Sequence, residues 1–474
     1  MRVLKFGGTS IASANRIGNV CEIIRQAAQN CRVIVVVSAL AGITNQLIDA
    51  LEKAIIGDHE WSTIIEKIKE RHLKYLKQLT TQDYQKEAII RLDFRLERLV
   101  SQLNKIAQQG CCSPALSDNI ISTGECLSVP LIVAVLQTFG VDALPIHASE
   151  LIRTDNSFGE ARVDFRITNE QTVNKFKDIK PDKVPVVTGF IGSSADGQIT
   201  TLGRNGSDYT ATIIGAALKA EQVEIWSDTN GILTADPAIL TNAIPLPEIT
   251  FGEAEALAHV GAGVLHPKTI QPLIQSAVPA VIKNTFQPNF VGTYVKAFNQ
   301  GEQKSARIVT SFQNAVLIRI EIDQSQPFQN TIQVLLEEYS REDIFPLLVS
   351  EYADDRSVSV AIPKRQFKKA NDILNRSFHQ YGKIKNFNIE QDISVVAIIG
   401  HNIHEDSVTP DKAYQLLKKK NLKILAYSDG YSPHTTAMAI EDMKTFKAVS
   451  LLHSDIVLAD QNEEKILAAD YQRG

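Results

Sequence analysis

The chain has 474 residues, 44% hydrophobic and 22% charged, a composition that suits two to four folded domains and is too apolar for wholesale disorder. Its net charge of −5 supplies no basic field for nucleic acid. The apolar part of Met1-Arg2-Val3-Leu4 is too short for a signal peptide, and no apolar run is expected to span a membrane, so the expected location is the cytoplasm. Cys21, Cys31, Cys111, Cys112 and Cys126 lack metal-ligand spacing and read as reduced structural thiols. Adjacent Cys111 and Cys112 fall in a predicted loop before Pro114.

The first half alternates β-rich and helical stretches. Residues 3–6 predict a short strand and 13–29 an amphipathic helix; 32–37, a nearly unbroken β-branched run, predicts a strand buried on both faces. Between 45 and 109, three Lys- and Glu-rich helical stretches follow one another with hardly any glycine. They read as a helical insertion with solvated charged faces. A helix over 118–138, strands over 142–146, 184–188 and 222–226, and a helix over 207–219 continue the alternation. The fold class this predicts is α/β, with a largely parallel central sheet sandwiched by helices over 1–290. Pro288, Gly292 and Gly301 among polar residues mark a linker, taken as 291–313. Two α+β units follow, 314–390 and 391–455, with a tail completing the region. Each has the order strand, helix, two strands, helix, the pattern of a diverged duplication.

Lys5-Phe6-Gly7-Gly8-Thr9-Ser10 is the most informative segment. A strand carries a lysine near its end, two glycines turn the chain, and hydroxyl residues precede a helix. Glycines let backbone N–H groups approach an anion, and the lysine places a point charge on a phosphoryl group. The spacing is neither that of the P-loop nor that of a dinucleotide site; a tight turn without a ligand is the plain alternative. A second glycine-rich turn runs Thr201-Leu202-Gly203-Arg204-Asn205-Gly206-Ser207-Asp208, again before a helix. Ser207 and Asp208 suit helix capping there; Arg204 also suits a carboxylate clamp, and Asp208 an anchor for catalytic groups. Glu125 falls on an apolar helix face, where a carboxylate needs a partner such as a substrate amino group.

These segments, together with Gly42-Ile43-Thr44-Asn45, Arg153-Thr154-Asp155, Thr188-Gly189-Phe190-Ile191, Trp226-Ser227-Asp228 and the stretch from Gly261 to Pro267, resemble the aspartokinases in order and spacing. The resemblance covers nearly the whole chain. It implies an amino-acid-kinase-like sheet followed by two ACT units, a homodimer formed through them, and an amino-acid effector. It also implies transfer of the γ-phosphate of ATP, with Mg²⁺, to the side-chain carboxylate of L-aspartate. On this resemblance Lys5, Gly7, Gly8, Thr9 and Ser10 hold the phosphates and Asp208 organises Lys5. Arg204 binds an aspartate carboxylate, Glu125 its ammonium, and Thr44 and Ser207 complete the pocket. Ser227, Asp228, Leu233, Gly263 and Val264 fall on the nucleotide side.

That side departs from the family pattern. Leu233 stands where the family has a tyrosine, Ala238 where it has an arginine, and Gly263 where it has a lysine that meets the phosphates. Lys268 is a nearby substitute cation. The expected result is weaker ATP binding. Two other readings stay open: a catalytically weakened regulatory paralogue, and a kinase of another small acidic amino acid. The stretch from Glu321 to Phe328 lacks the glycine loop of lysine-regulated members, so lysine control is not carried over by default.

Overall fold

The computed structural model describes residues 1–474 except 262–264, 298–305, 326, 343, 353, 382–383, 404–407, 430–431 and 460–474. The tail over 465–474 therefore lies outside the described residues. Contacts divide the chain into two compact units. The first comprises Met1–Ile232 and Lys268–Ala297, the second Leu233–Pro267 and Phe298–Gly474.

The first unit is built on a parallel sheet. β1 (Arg2–Phe6), β2 (Val33–Val37), β3 (Ala143–Ile146), β4 (Val184–Thr188) and β7 (Gln222–Ser227) lie in the order β3-β4-β2-β1-β7. Ala280–Asn284 continues the sheet in parallel beside β7, and Thr293–Lys296 adds an antiparallel strand. Every residue of β2 is buried, as expected for a β-branched strand covered on both faces. A short hairpin, β5 (Ile191–Ser193) and β6 (Ile199–Thr201), stands beside this sheet.

Helices α1 (Ala14–Asn30), α2 (Ile43–Ile55), α3 (Glu60–Leu79) and α4 (Gln82–Gln109) follow β1 and β2. The last three occupy the stretch with the Lys- and Glu-rich helical pattern. On α4, Leu92, Leu96, Leu99, Leu103 and Ile106 are buried at three- and four-residue spacing, so this long polar helix holds itself by one apolar stripe. The single helix expected over 118–138 is instead a pair. Ser113 accepts a hydrogen bond from Leu116 N (3.3 Å) and starts α5 (Pro114–Ile121); after Ser122, α6 (Thr123–Thr138) begins. Pro114–Thr138 is long and apolar enough to cross a membrane by length and composition, contrary to expectation. Yet 89% of its most apolar window is buried inside the protein, against the sheet and the insertion. α7 (Phe165–Lys177) and α8 (Gly206–Ala217) complete the helices used below.

The second unit carries a six-stranded antiparallel sheet. Its order is Leu348–Tyr352, Ser357–Pro363, Ala306–Ile322, Ile384–Gly400, Thr435–Glu441, Ile424–Ser428. Helices Phe328–Arg341 and Phe367–Tyr381 belong to the first repeat, and Val408–Lys419 and Thr445–Leu452 to the second. The sheet is consistent with paired ACT-like units. Its two central strands start earlier than their apolar cores predict, at Ala306 and Ile384 rather than 315 and 393. The added segments are partnered by the other repeat: Ile308 to Phe312 pairs with Val395 to Ile399, and Leu317 to Ile322 pairs with Ile384 to Glu390. The segment Leu233–Pro267 joins this unit too. Val309 N donates to Thr234 O (2.8 Å), Arg307 pairs with buried Glu253 (3.2 Å), and Ala235 and Leu240 enter the apolar cluster around Val396 and Met438.

Candidate active site

The carboxyl ends of four parallel strands come into register along one edge of the first unit. Phe6 stands beside Val37 and Trp226, and Val37 beside Thr188. The turns that follow these strands therefore open on a common edge. β1 leads to β2 on one side while β7 occupies the other, and at such reversals open α/β sheets bind ligands.

At this edge Lys5 Nζ meets Asp208 Oδ1 at 2.5 Å; the two residues are 9% and 6% exposed. The lysine comes from β1 and the aspartate from the first turn of α8, so the pair is made by docking that helix on the sheet. A Cβ on Gly7 would lie 3.2 Å from Lys5 Nζ, and one on Gly8 3.0 Å from Ala39 O. Gly7 thus keeps the space beside the ammonium clear, and Gly8 lets the turn pass close to the backbone of Ala39. Ser10 is turned inward: its hydroxyl lies 2.7 Å from Thr285 Oγ1 and is fully buried, tying the turn to the residue that follows the strand Ala280–Asn284. Thr9 is exposed, and its carbonyl accepts from Arg16 Nη1 at 2.8 Å.

Glu125 enters from the first turn of α6 and is 2% exposed. Its Oε1 accepts from Ala39 N at 3.1 Å, with Ser38 Oγ 3.5 Å away; its Oε2 has no partner among the described residues. Burial pushes this carboxyl up to about 7 against the lowering pull of the Ala39 amide. A buried carboxylate with one bare oxygen needs a cation. Gly124 lets α6 come this close, because a Cβ there would sit 2.7 Å from the Ala39 Cβ. Thr44 lies half-exposed in the first turn of α2, behind Gly42 in the left-handed region (φ 81°).

The turn before α8 bends through Gly203 (φ 77°) and Asn205 (φ 57°). It leaves Arg204 exposed and without an ion pair among the described residues, while Ser207 is buried against Gly189. Asp118, a helical residue to which the sequence assigned no role, anchors this turn. Its Oδ2 accepts from Thr201 N (2.7 Å) and Gly159 N (2.9 Å). Nothing in the local pattern around Asp118 distinguishes it from a solvated helix residue; only its 3% exposure does.

Ser227 ends β7, its hydroxyl accepting from Thr229 N at 3.3 Å, and Asp228 is exposed. Leu233 belongs to the second unit, where it bridges Pro245. Gly263 and Val264 lie outside the described residues. Lys268 makes an ion pair with Glu160 (3.6 Å), whose side chain packs beside Gly203. The structure thus brings Lys5, Gly7, Gly8 and Asp208 together and sets Glu125 beside Ala39, the residue that also borders Gly8.

Residues 1–284 match the model of the amino acid kinase family. Aspartokinase 1, chloroplastic, of Arabidopsis thaliana is 30% identical over 463 residues, covering 95% of this chain and 79% of that protein. A bifunctional aspartokinase/homoserine dehydrogenase of Buchnera aphidicola is 29% identical over 465 residues, which are 96% of this chain and 56% of that protein. The chain thus spans little more than half the length of such bifunctional relatives. Among solved structures, E. coli aspartokinase III in complex with aspartate and ADP (R-state) superposes with a TM-score of 0.83 at 28% identity, covering 96% of this chain and 99% of that one. Its complex with lysine and aspartate (T-state) gives 0.76 at 27% identity, with the same coverage. Similarity of this extent, spanning both units, shows that the chain belongs to the amino acid kinase family, within its aspartokinase branch.

Proposed function

We propose that this chain is an aspartate kinase, moving the γ-phosphoryl group of ATP to the β-carboxylate of L-aspartate to give 4-phospho-L-aspartate, the first step toward lysine, threonine and methionine. The observation that carries the reading is the buried Lys5–Asp208 pair beneath the Gly7-Gly8 turn. It is supported by the relative whose structure holds aspartate and ADP.

In this reading Lys5 neutralises charge on the transferring phosphoryl group, and Asp208 fixes its ammonium. The amides of Gly7 and Gly8, with Thr9, cradle phosphate oxygens; Ser10 holds the turn in shape through Thr285. The bare Glu125 oxygen takes the substrate ammonium, and Arg204 closes on a carboxylate as a fork-shaped donor. Thr44 and Ser207 line the same pocket. Ser227 and Asp228 border the nucleotide, with Leu233, Gly263 and Val264 on that side. The attacking carboxylate is already ionised at neutral pH, so no general base is required. The described residues contain no cluster of three metal-ligating side chains; Mg²⁺ would be held by the phosphate oxygens of ATP, whose charge it neutralises.

The second unit is proposed to carry homodimerisation and an amino-acid effector site, and the enzyme to work in the cytoplasm. Purified protein incubated with Mg-ATP, aspartate and hydroxylamine should yield the trapped acyl hydroxamate. No hydroxamate at millimolar Mg-ATP would hand the lead to the regulatory-paralogue reading, which the losses at Leu233, Ala238 and Gly263 favour.

A further inference from the structure

A small cleft, open to solvent at its mouth, lies between α4, the α5–α6 junction and the end of β3. Arg95 and Arg98 reach it from α4, with Gln102 one turn further on; Ser122 and His147 line it from the other side. Elsewhere on and beside α4, Arg91 pairs with Glu87 at 2.8 Å, and Lys69 with Asp93 at 3.0 Å. Arg95 and Arg98 make no ion pair among the described residues.

The opposite wall offers them no charge. Cys126 Sγ lies 3.2 Å from His147 Nε2, and His147 Nδ1 lies 2.6 Å from Ser149 Oγ. Burial pushes the Cys126 thiol up to about 12; burial and the Arg95 charge hold His147 down to about 4. The pair is therefore a neutral thiol and a neutral imidazole at physiological pH. Glu150, the carboxylate near His147, is already engaged by Lys175 at 2.6 Å. Two guanidinium groups then face a polar, neutral, partly desolvated wall, an arrangement that favours a planar or tetrahedral oxyanion.

We propose that this cleft binds a small oxyanion group, the phosphate or carboxylate of a metabolite, at a site distinct from the aspartate pocket. The site is wired to that pocket by the chain itself. Cys126 follows Glu125, Asn119 in the cleft wall follows Asp118, and Ile199 opens the strand that ends at Thr201.

The test titrates full-length protein with inorganic phosphate and, separately, with malonate, reading heat of binding and Tm. It is run in a Lys5→Met/Arg204→Ala background, so that the proposed active site does not take up the probe. Saturable binding of at least one probe is expected, weakened about ten- to hundredfold by Arg95→Gln with Arg98→Gln. Phosphate alone binding identifies a phosphate-bearing ligand; malonate alone identifies a carboxylate. Gln102→Glu, which sets a carboxylate one turn from Arg98 where the native amide donates to Asn119 Oδ1 at 3.0 Å, should abolish probe binding in a protein that a cooperative Tm shows to be folded, and it keeps the test valid should the double arginine variant misfold. Binding of neither probe, or undiminished binding in the folded variants, would overturn the proposal.

Discussion

At the scale of single residues, the proposed site rests on charges that only the folded chain brings into contact. Lys5→Ala should cut turnover about a hundred- to thousandfold, as expected for loss of one preorganised charge on a transferring group. Near wild-type kcat in a folded Lys5→Ala protein would remove the assignment. Glu125 gives a pH prediction with a definite sign. Its carboxyl is raised from 4.5 to about 7 by burial, so the free protein holds a proton that the unfolded chain releases. Its stabilising share is full below about 4.5 and lost as pH rises through about 7. A substrate ammonium needs the ionised form, so aspartate affinity should rise about tenfold per pH unit up to about 7 and then level off. Glu125→Gln should flatten that profile and raise the aspartate KM while leaving the ATP KM nearly unchanged; calorimetric titration of aspartate at several pH values checks it. Lys5 and Glu125 were legible as chemistry-bearing residues because each breaks its surroundings, one at a strand end before two glycines, the other on an apolar helix face. The partnership of Lys5 with Asp208 was not, since local patterning says nothing about residues so far apart in the chain; the family resemblance supplied it. Asp118 escaped both, because its role is two backbone amides that only the fold delivers.

At the scale of elements, close approach sets the site. A Cβ on Gly189 would lie 2.5 Å from Ser207 Oγ and 2.9 Å from the Ser207 Cα. The second contact is backbone and cannot swing aside, so α8 and Asp208 must shift. Gly189→Ala should cost about 1–3 kcal/mol of stability and a larger share of kcat, separable by comparing Tm with turnover. Gly124 plays the same part for α6 and Glu125. The buried strands were legible from their β-branched runs; 184–188 matches residue for residue. The break at Ser122 was not read from the sequence, although Ser122-Thr123-Gly124-Glu125 interrupts the apolar run there. The sequence departures on the nucleotide side carry their own prediction. Gly263→Lys should lower the ATP KM by about one to two decades if the lysine regains a charged hydrogen bond to phosphate. An unchanged ATP KM would mean that the phosphates lie elsewhere.

At the scale of the whole molecule, the two units are interleaved along the chain. The repeat in the second half was legible from its element order. The membership of Leu233–Pro267 was not, because its contribution to that unit's core is a few scattered residues such as Ala235 and Leu240 rather than a periodic face. Removing residues 306–474 would therefore strip this segment of its partners, Val309, Arg307 and His453 among them. Such a truncated protein is expected to be monomeric in sedimentation yet prone to aggregate, with the segment protease-sensitive; a stable, protease-resistant truncation would contradict this. The same interleaving bears on synthesis. The ribosome releases Leu233–Pro267 well before the strands and helices that bury it, the last of which ends near Leu452. At about 5–20 residues per second, that segment waits roughly 10–40 s with its apolar residues uncovered. Elongation speed and chaperone supply thus bear on the yield of this protein, and slow codons placed after residue 267 should lengthen the exposure and lower the soluble fraction.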